Sequence, residues 1–551
     1  MADTKREIER KYEAGEGAGL PDLSGVSGVA SVIDKGLAEL DATYYDTADQ
    51  RLAASSITLR RRTGGDDAGW HLKLPVSDGV RDEIRAPLSD ALPRGLAGLV
   101  RSRVRDAELL PVVRLQSARD VCHLVDASGG LLAEVSVDRV HAERLNGGDR
   151  TTDWTEIEVE LADDGDPAFL DKVEKKLRKA GISRSKSASK LARALEETGK
   201  PAKNGKPAKN GKPAETRETG PVKQPKQPKQ PKQTKQAKST GRKNEKAKVV
   251  LIAEPEPPTA GDHVLAYIRA QRDALVELDP AVRRDVYDSV HRMRVATRRL
   301  RSSFRSYGKV LDRAVTDPIG DELKWLAGEF GVDRDQEVLT ERLTAALDEL
   351  PRTLLAGPVR TRLRTWANAR RGGSRRRLIA VLDGKRYLDL LATLDSLVAE
   401  PPLLKAATGP PDRVIGKAVR GDFAKLSALV VQAIDAPPGT DRDLAIHDAR
   451  KKAKRTRYAA EAATKALGEP AASLVKSMKS LQGLLGDHQD SVMTRLALRD
   501  LATQAHAAGE SSFTYGVLYG REEQRAADAE RALPEAWTAI FTAAGGFVGT
   551  R

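Results

Sequence analysis

Glu7-Ile-Glu9-Arg-Lys11, answered far along the chain by Glu134-Val-Ser-Val-Asp138 and Glu156-Ile-Glu-Val-Glu160, decides how the N-terminal part of this sequence folds. A strand turns successive side chains to opposite faces, so Glu7, Glu9 and Lys11 share one face, and so do Glu134, Ser136 and Asp138, and Glu156, Glu158 and Glu160. Between them, Arg60 with Arg62, His71 with Lys73, and Arg81 with Glu83 and Arg85 repeat the pattern. The opposite faces carry Ile57, Leu59, Trp70, Leu72, Leu74, Ile84, Val135, Val137, Ile157 and Val159. A half-solvated sheet would turn its charged face outward. Six charged faces in one small β region, each backed by an apolar one, instead predict a closed barrel, apolar outside under helices and charged within. Gly64-Gly65, Asp78-Gly79 and Gly129-Gly130 supply the tight turns of antiparallel hairpins, and Phe169, Val173 and Leu177 mark one covering helix.

A tunnel lined by both signs of charge has a definite chemical use. Arg and Lys neutralise phosphoryl oxygens, whereas carboxylates hold hard divalent cations such as Mg2+ or Mn2+. A cation held this way bridges to a phosphate chain and can activate water for in-line attack. Neither a Ser-His triad nor a Gly-rich phosphate loop competes with that reading.

The chain has 551 residues, too many for one core, and a formal charge of +14. Between Lys200 and Lys248 stand sixteen Lys or Arg against three Glu, a net of +13, so the excess belongs almost wholly to that segment. Its Gly-Lys-Pro-Ala-Lys-Asn and Gln-Pro-Lys repeats predict an extended tether, without the interleaved aromatics that would stack nucleic-acid bases. The expected domains are therefore residues 1–198, a disordered linker over 199–250, and residues 251–551. The lone Cys122 requires no oxidising compartment, and no apolar run is long enough to span a membrane, so a cytoplasmic protein is expected.

After the linker the apolar period becomes helical, and the sequence repeats itself. His291-Arg-Met-Arg-Val-Ala-Thr-Arg-Arg-Leu-Arg301 is echoed 156 residues later by His447-Asp-Ala-Arg-Lys-Lys-Ala-Lys-Arg-Thr-Arg457, which predicts two related helical bundles. At 100 degrees per residue, His291, Arg294, Arg298, Arg301 and Arg305 fall within an arc of roughly 80 degrees. His447, Arg450, Lys454 and Arg457 form a similar stripe with Lys451 beside it. Opposed basic stripes make a groove for a flexible polyanion. His488 joins the two repeat histidines as a phosphate hydrogen-bonding candidate, since neither Cys nor close His spacing supports zinc.

With Tyr44-Tyr-Asp-Thr47 and Trp70-His-Leu-Lys-Leu-Pro75 added, the strand motifs of about residues 4 to 195 resemble the CYTH family, or triphosphate tunnel metalloenzymes. The resemblance implies an eight-stranded antiparallel tunnel with flanking helices, binding triphosphate through basic residues and divalent metal through carboxylates. It makes Glu7, Glu9, Glu134, Asp138, Glu156, Glu158 and Glu160 metal candidates, with Glu7, Glu9 and Lys11 catalytic. Lys11, Arg60, Arg62, Lys73, Arg81, Arg119 and Lys190 become triphosphate candidates, with Arg114 an alternative to Arg119 and Lys186 to Lys190. The helical motifs, with Leu485-Gly-Asp-His-Gln-Asp490, resemble the CHAD domain, an all-α pair of four-helix bundles that binds inorganic polyphosphate. Within that motif, Arg334 stands where the first copy would carry a third histidine. The expected activity is metal-dependent hydrolysis of triphosphate or polyphosphate ends, in a protein associated with polyphosphate granules. A class IV-type adenylyl cyclase and a non-enzymatic polyphosphate scaffold are the alternatives.

Overall fold

A computed structural model describes residues 3–15, 19–146, 150–199, 258–371 and 374–545. The basic segment expected as a linker lies outside the described residues beyond Gly199, and so does the side chain of Arg334.

The N-terminal part runs β1 (Asp3–Ala14), β2 (Ser31–Asp46), β3 (Thr58–Thr63), β4 (Gly69–Ser77), β5 (Val80–Pro87), α1 (Arg94–Val104), β6 (Leu110–Val125), β7 (Leu131–Arg144), β8 (Thr151–Leu161), α2 (Ala168–Lys179), β9 (Ser183–Arg184) and α3 (Lys190–Gly199). Neighbouring strands follow the order β5-β4-β3-β2-β6-β7-β8-β1, all antiparallel, and β1 also pairs with β5. Eight strands thus close into a ring, with the short β9 added beside β1. β1 makes the closure by dividing itself: Glu7 lies opposite Arg81 of β5, and Lys11 opposite Glu158 of β8. Gly64 turns β3 into β4 with φ of +79°, and a Cβ there would stand 2.0 Å from the Glu39 carbonyl oxygen, so no other residue fits.

Alternation then sorts the side chains. Leu59, Trp70, Leu72 and Ile84 face out and are buried under Leu96, Leu99 and Val100 of α1. Val135, Val137, Ile157 and Val159 face out beneath Phe169, Val173 and Leu177 of α2. Burying a side chain of this size is worth about 1.5–3 kcal/mol, so these two covered flanks account for the outer surface of the barrel being apolar. The inside is charged along part of its length and apolar at one end. There, Leu191 and Ala194 of α3 pack on Val113, Leu115, Val140, Ala142 and Trp154, so α3 seals that end of the barrel. The water-filled tunnel expected from alternation alone is therefore shortened by a helical plug.

The helical part comprises α4 (Ala260–Arg283), α5 (Ser289–Ser306), α6 (Arg313–Glu329), α7 (Gly331–Asp348), α8 (Val359–Arg371), α9 (Ser374–Asp383), α10 (Lys385–Ala399), α11 (Pro411–Asp435), α12 (Thr440–Leu467), α13 (Glu469–Ala507) and α14 (Phe513–Ala543). A capping box starts α4: the Thr259 hydroxyl accepts from the Asp262 backbone N–H, and the Asp262 carboxylate accepts from the Thr259 backbone N–H at 2.8 Å. The repeat seen in the sequence sets α4–α7 against α11–α13, the single long α13 corresponding to α6 and α7. The copies do not keep separate cores. One core joins α4, α5 and α6 to α11, α12 and the start of α13; a second joins α7 and α8 to the end of α13 and the start of α14.

Candidate active site and the basic helical surface

Inward alternation brings two ion-paired clusters into the barrel, Glu7, Arg60, Lys73 and Glu83 in one and Glu9, Lys11, Arg119, Asp138, Glu156 and Glu158 in the other; Lys190 enters the second from the N-terminus of α3, and Arg62 pairs with Asp67. Lys73 Nζ lies 2.6 Å from Glu7 and 3.7 Å from Glu83, which Arg60 also approaches at 3.7 Å. Arg119 grips Asp138 through two parallel bonds of 2.7 and 2.8 Å and reaches Glu158 at 2.8 Å. Lys190 Nζ stands 3.0 Å from Asp138, 2.9 Å from Glu156 and 2.7 Å from Glu158. Lys11 pairs with Glu158 and with Glu9.

Buried ion pairs seldom add stability over apolar packing, so a network this large is poorly explained as a structural device. Several of its groups titrate far from their ordinary values, as candidate functional groups do. Burial pushes the Glu7 carboxyl up to about 7, with Lys73 only partly offsetting it. Burial acts on Glu9 too, but Lys11 and Lys73 overcome it and hold that carboxyl down to about 2. Burial with the like charges of Arg60 and Arg119 brings Arg62 down to about 9, a sign of crowded positive charge.

Asp138, Glu156 and Glu158 each offer an oxygen within 4.8 Å of the others. Three buried carboxylate oxygens are the donor set that hard divalent cations prefer, so these residues fit Mg2+ or Mn2+. Glu134 and Glu160 lie further out: Glu134 is half-exposed beside His123 at 3.3 Å, and Glu160 pairs with Lys5 at 2.6 Å. Arg81 donates to the Ala188 carbonyl. Between the alternatives the structure is unequal. Arg114 stands on the outer face of β6, bound to Asp41, and Lys186 is exposed, whereas Arg119 and Lys190 point inward. Three participants were not among the sequence candidates. Glu83 gathers Arg60, Lys73, His71 and Arg85, with His71 Nδ1 donating to it at 3.0 Å, and the Tyr44 hydroxyl accepts from Arg60 at 3.2 Å. Glu83 and His71 had announced themselves by their alternation; Tyr44 had not.

In the helical part, α5 and α12 bring the two basic stripes together. Burial, then Arg450, Arg298 and Arg294, push the Lys454 ammonium down to about 7, so residues of both copies share one positive field. The Nε atoms of Arg298, Arg301 and Arg450 are buried without an acceptor, and Arg457 Nε lies 3.3 Å from Glu461. Gly331 and Gly486, equivalent in the two copies, each leave room for a guanidinium: a Cβ would meet Arg294 at 3.3 Å and Arg450 at 3.4 Å. His447 Nδ1 donates to Gln489 Oε1 at 2.6 Å, Lys451 is exposed beside Asp448, and Arg305 is exposed at the far end of the α5 stripe. His488 departs from the expectation. It is buried, with Nε2 at 3.3 Å from Asp443 and 3.2 Å from Glu530, so it serves carboxylates of α12 and α14 and does not line the basic surface.

The N-terminal part is thus a closed antiparallel barrel with an ionic interior, and the C-terminal part a duplicated helical domain with a basic seam. Residues 5–195 match the CYTH domain family and residues 266–499 the CHAD domain family, and the chain belongs to the CYTH–CHAD proteins. An uncharacterized protein of Mycobacterium tuberculosis (strain ATCC 25618 / H37Rv) is 36% identical over 531 residues, covering 94% of this chain and 92% of that protein. Among solved structures, PptA from Streptomyces chartreusis is 21% identical with a TM-score of 0.44, over 51% of this chain and 100% of that one. The CHAD domain from the plant Ricinus communis is 23% identical with a TM-score of 0.40, over 53% of this chain and 93% of that one. CYTH domains are metal-dependent triphosphatases or cyclases. Among the described residues, no helix is long and apolar enough to cross a membrane.

Proposed function

We propose that the chain is a metal-dependent phosphoanhydride hydrolase that takes inorganic triphosphate, or the end of a polyphosphate chain, into the barrel while the helical domain holds the polymer. The observation that carries this reading is the paired charge inside the barrel. Arg60 and Lys73 on β3 and β4 are held by Glu7 and Glu83, and the carboxylates of Asp138, Glu156 and Glu158 on β7 and β8 converge around Lys190 and Arg119. A bound Mg2+ or Mn2+ would supply charge neutralisation and a more acidic water. The chain's own groups do the rest. Arg60, Lys73 and Arg119 exchange their carboxylate partners for phosphoryl oxygens, fixing the chain in line, and the sealed end beside α3 limits how far it enters. Glu7, raised to about 7 by burial, can take or give a proton near neutral pH at the Lys73 end.

Orthophosphate release from tripolyphosphate in the presence of Mg2+ or Mn2+ tests the reading. Glu7→Gln and Arg60→Ala should each abolish it; unchanged rates would remove the assignment. For the helical domain, the carrying observation is the shared field around Lys454. Salt-sensitive binding of long polyphosphate that survives Arg60→Ala but falls in Arg298→Ala/Arg450→Ala supports it, and binding lost with Arg60→Ala alone counts against it.

A further inference from the structure

On the outer side of the barrel, away from the ionic interior and from the α5–α12 seam, a cavity of about 1000 Å3 lies between the barrel wall and helices α4 and α10. Its lining holds seven arginines against four carboxylates, so positive charge exceeds negative by three. Two of those carboxylates are each divided between a cation of the barrel part and one of the helical part. Asp82 receives Arg6 on Oδ1 at 2.5 Å and Arg284 on Oδ2 at 2.9 Å. Asp395 receives Arg105 on Oδ2 at 3.0 Å and Arg272 on Oδ1 at 2.5 Å. At Asp82 one negative charge serves two positive ones; at Asp395, Arg272 is also met by Asp273, 2.7 Å from its Nε.

The uncancelled charge concentrates at the end of α1. Arg103 donates to the Val276 carbonyl at 3.1 Å, which satisfies one N–H without removing its charge. The Nε of Arg103, and both Nε and Nη1 of Arg105, are buried with no acceptor. Burial also depresses the Arg103 guanidinium below its ordinary value. A buried donor lacking an acceptor is costly and marks a place where one is wanted. Guanidinium forks match the paired oxygens of a phosphate, and a single carboxylate would leave most of the excess charge standing.

We propose that this cavity is a second anion site, which binds a small inorganic phosphate of the orthophosphate or pyrophosphate type and ties the barrel to the helical domain through arginines of both. It is independent of hydrolysis inside the barrel. Such an anion would act as a linkage ligand: whatever strengthens contact between the two parts strengthens its binding, and the reverse.

The test is calorimetric titration of the full chain with pyrophosphate, without added divalent metal. Arg103→Gln/Arg105→Gln should weaken one class of binding by about tenfold or more, while Arg60→Gln/Lys73→Gln inside the barrel leaves that class in place. Asp395→Asn guards against a folding artefact, since freeing Arg105 from its carboxylate, while Arg272 keeps Asp273, should tighten binding several-fold. Orthophosphate run in parallel separates the two sizes of anion. Titration of the Arg103→Gln/Arg105→Gln chain indistinguishable from the parent, or weaker binding by Asp395→Asn, would overturn the proposal.

Discussion

Replacing Lys190 by Met keeps an unbranched side chain at the start of α3 and removes its charge. Lys190 Nζ lies within 3.0 Å of oxygens of Asp138, Glu156 and Glu158, and its side chain is 9% exposed. After the exchange Arg119 still serves Asp138 and Glu158, and Lys11 still serves Glu158. Glu156 keeps the Trp154 indole N–H at 2.6 Å. Removing one partner of a buried ion pair costs about 3–5 kcal/mol. The cations that remain place the expected loss near the lower end, about 3 kcal/mol. Urea unfolding at pH 7.5 measures it as a lower midpoint with an unchanged slope.

The pH dependence has a definite sign. Burial would raise the Glu158 carboxyl, but Lys11, Lys190 and Arg119 hold it well below its ordinary 4.5. A depressed carboxyl contributes stability that is complete above the unfolded value and lost as pH falls through the folded one. The gap between the parent and Lys190→Met should therefore be widest near neutrality and narrow below pH 4.5. A divalent cation binding the same three carboxylates should restore the variant by about 2.7 kcal/mol at a hundredfold excess over its Kd, and the parent by less, because there it must displace Lys190. A loss below about 1 kcal/mol, or a variant midpoint indifferent to Mg2+ and Mn2+, would refute this reasoning.

Arg114→Ala and Lys186→Ala, both outside the interior, should leave triphosphate hydrolysis within about twofold, whereas Arg119→Ala should reduce it by more than a hundredfold in steady-state assays. Because Lys454 is held at about 7, polyphosphate binding should weaken as pH rises from 7 to 9, and Lys454→Met should flatten that slope in a binding titration. Gly331→Ala/Gly486→Ala should split two readouts: thermal stability holds or rises because alanine favours helix by about 1 kcal/mol per site, while crowding of Arg294 and Arg450 lowers polyphosphate affinity.

The ionic interior was legible in the sequence wherever a strand alternated cleanly, as at Glu7 to Lys11 and Glu156 to Glu160. It was not legible in β2. Leu37-Ala-Glu-Leu-Asp-Ala has low strand propensity, and the first residues of β2 are exposed on both faces. The strand is held instead by pairing with β6 from Ser31 to Asp46, a long-range partner no local pattern reveals. The choice between Arg114 and Arg119 stayed open in the sequence for the same reason. Only when β6 extends from Leu110 to Val125 does the alternation of Val113, Leu115, Ser117 and Arg119 show which arginine faces inward. His488 shows the limit of a motif. Its spacing placed it beside His447, but its role follows from Glu530, which lies 42 residues away on α14. The helical repeat was readable, whereas the mixing of both copies in each core depends on α13 and α14 being long enough to run through both.

One measurement bears most directly on the account: tripolyphosphate, long polyphosphate, ATP and thiamine triphosphate are each given to the full chain with Mg2+ or Mn2+, and orthophosphate and cyclic AMP are quantified. The account predicts metal-dependent orthophosphate from tripolyphosphate and no cyclic AMP from ATP. Cyclic AMP as the main product, or no orthophosphate from any of the four, would contradict it.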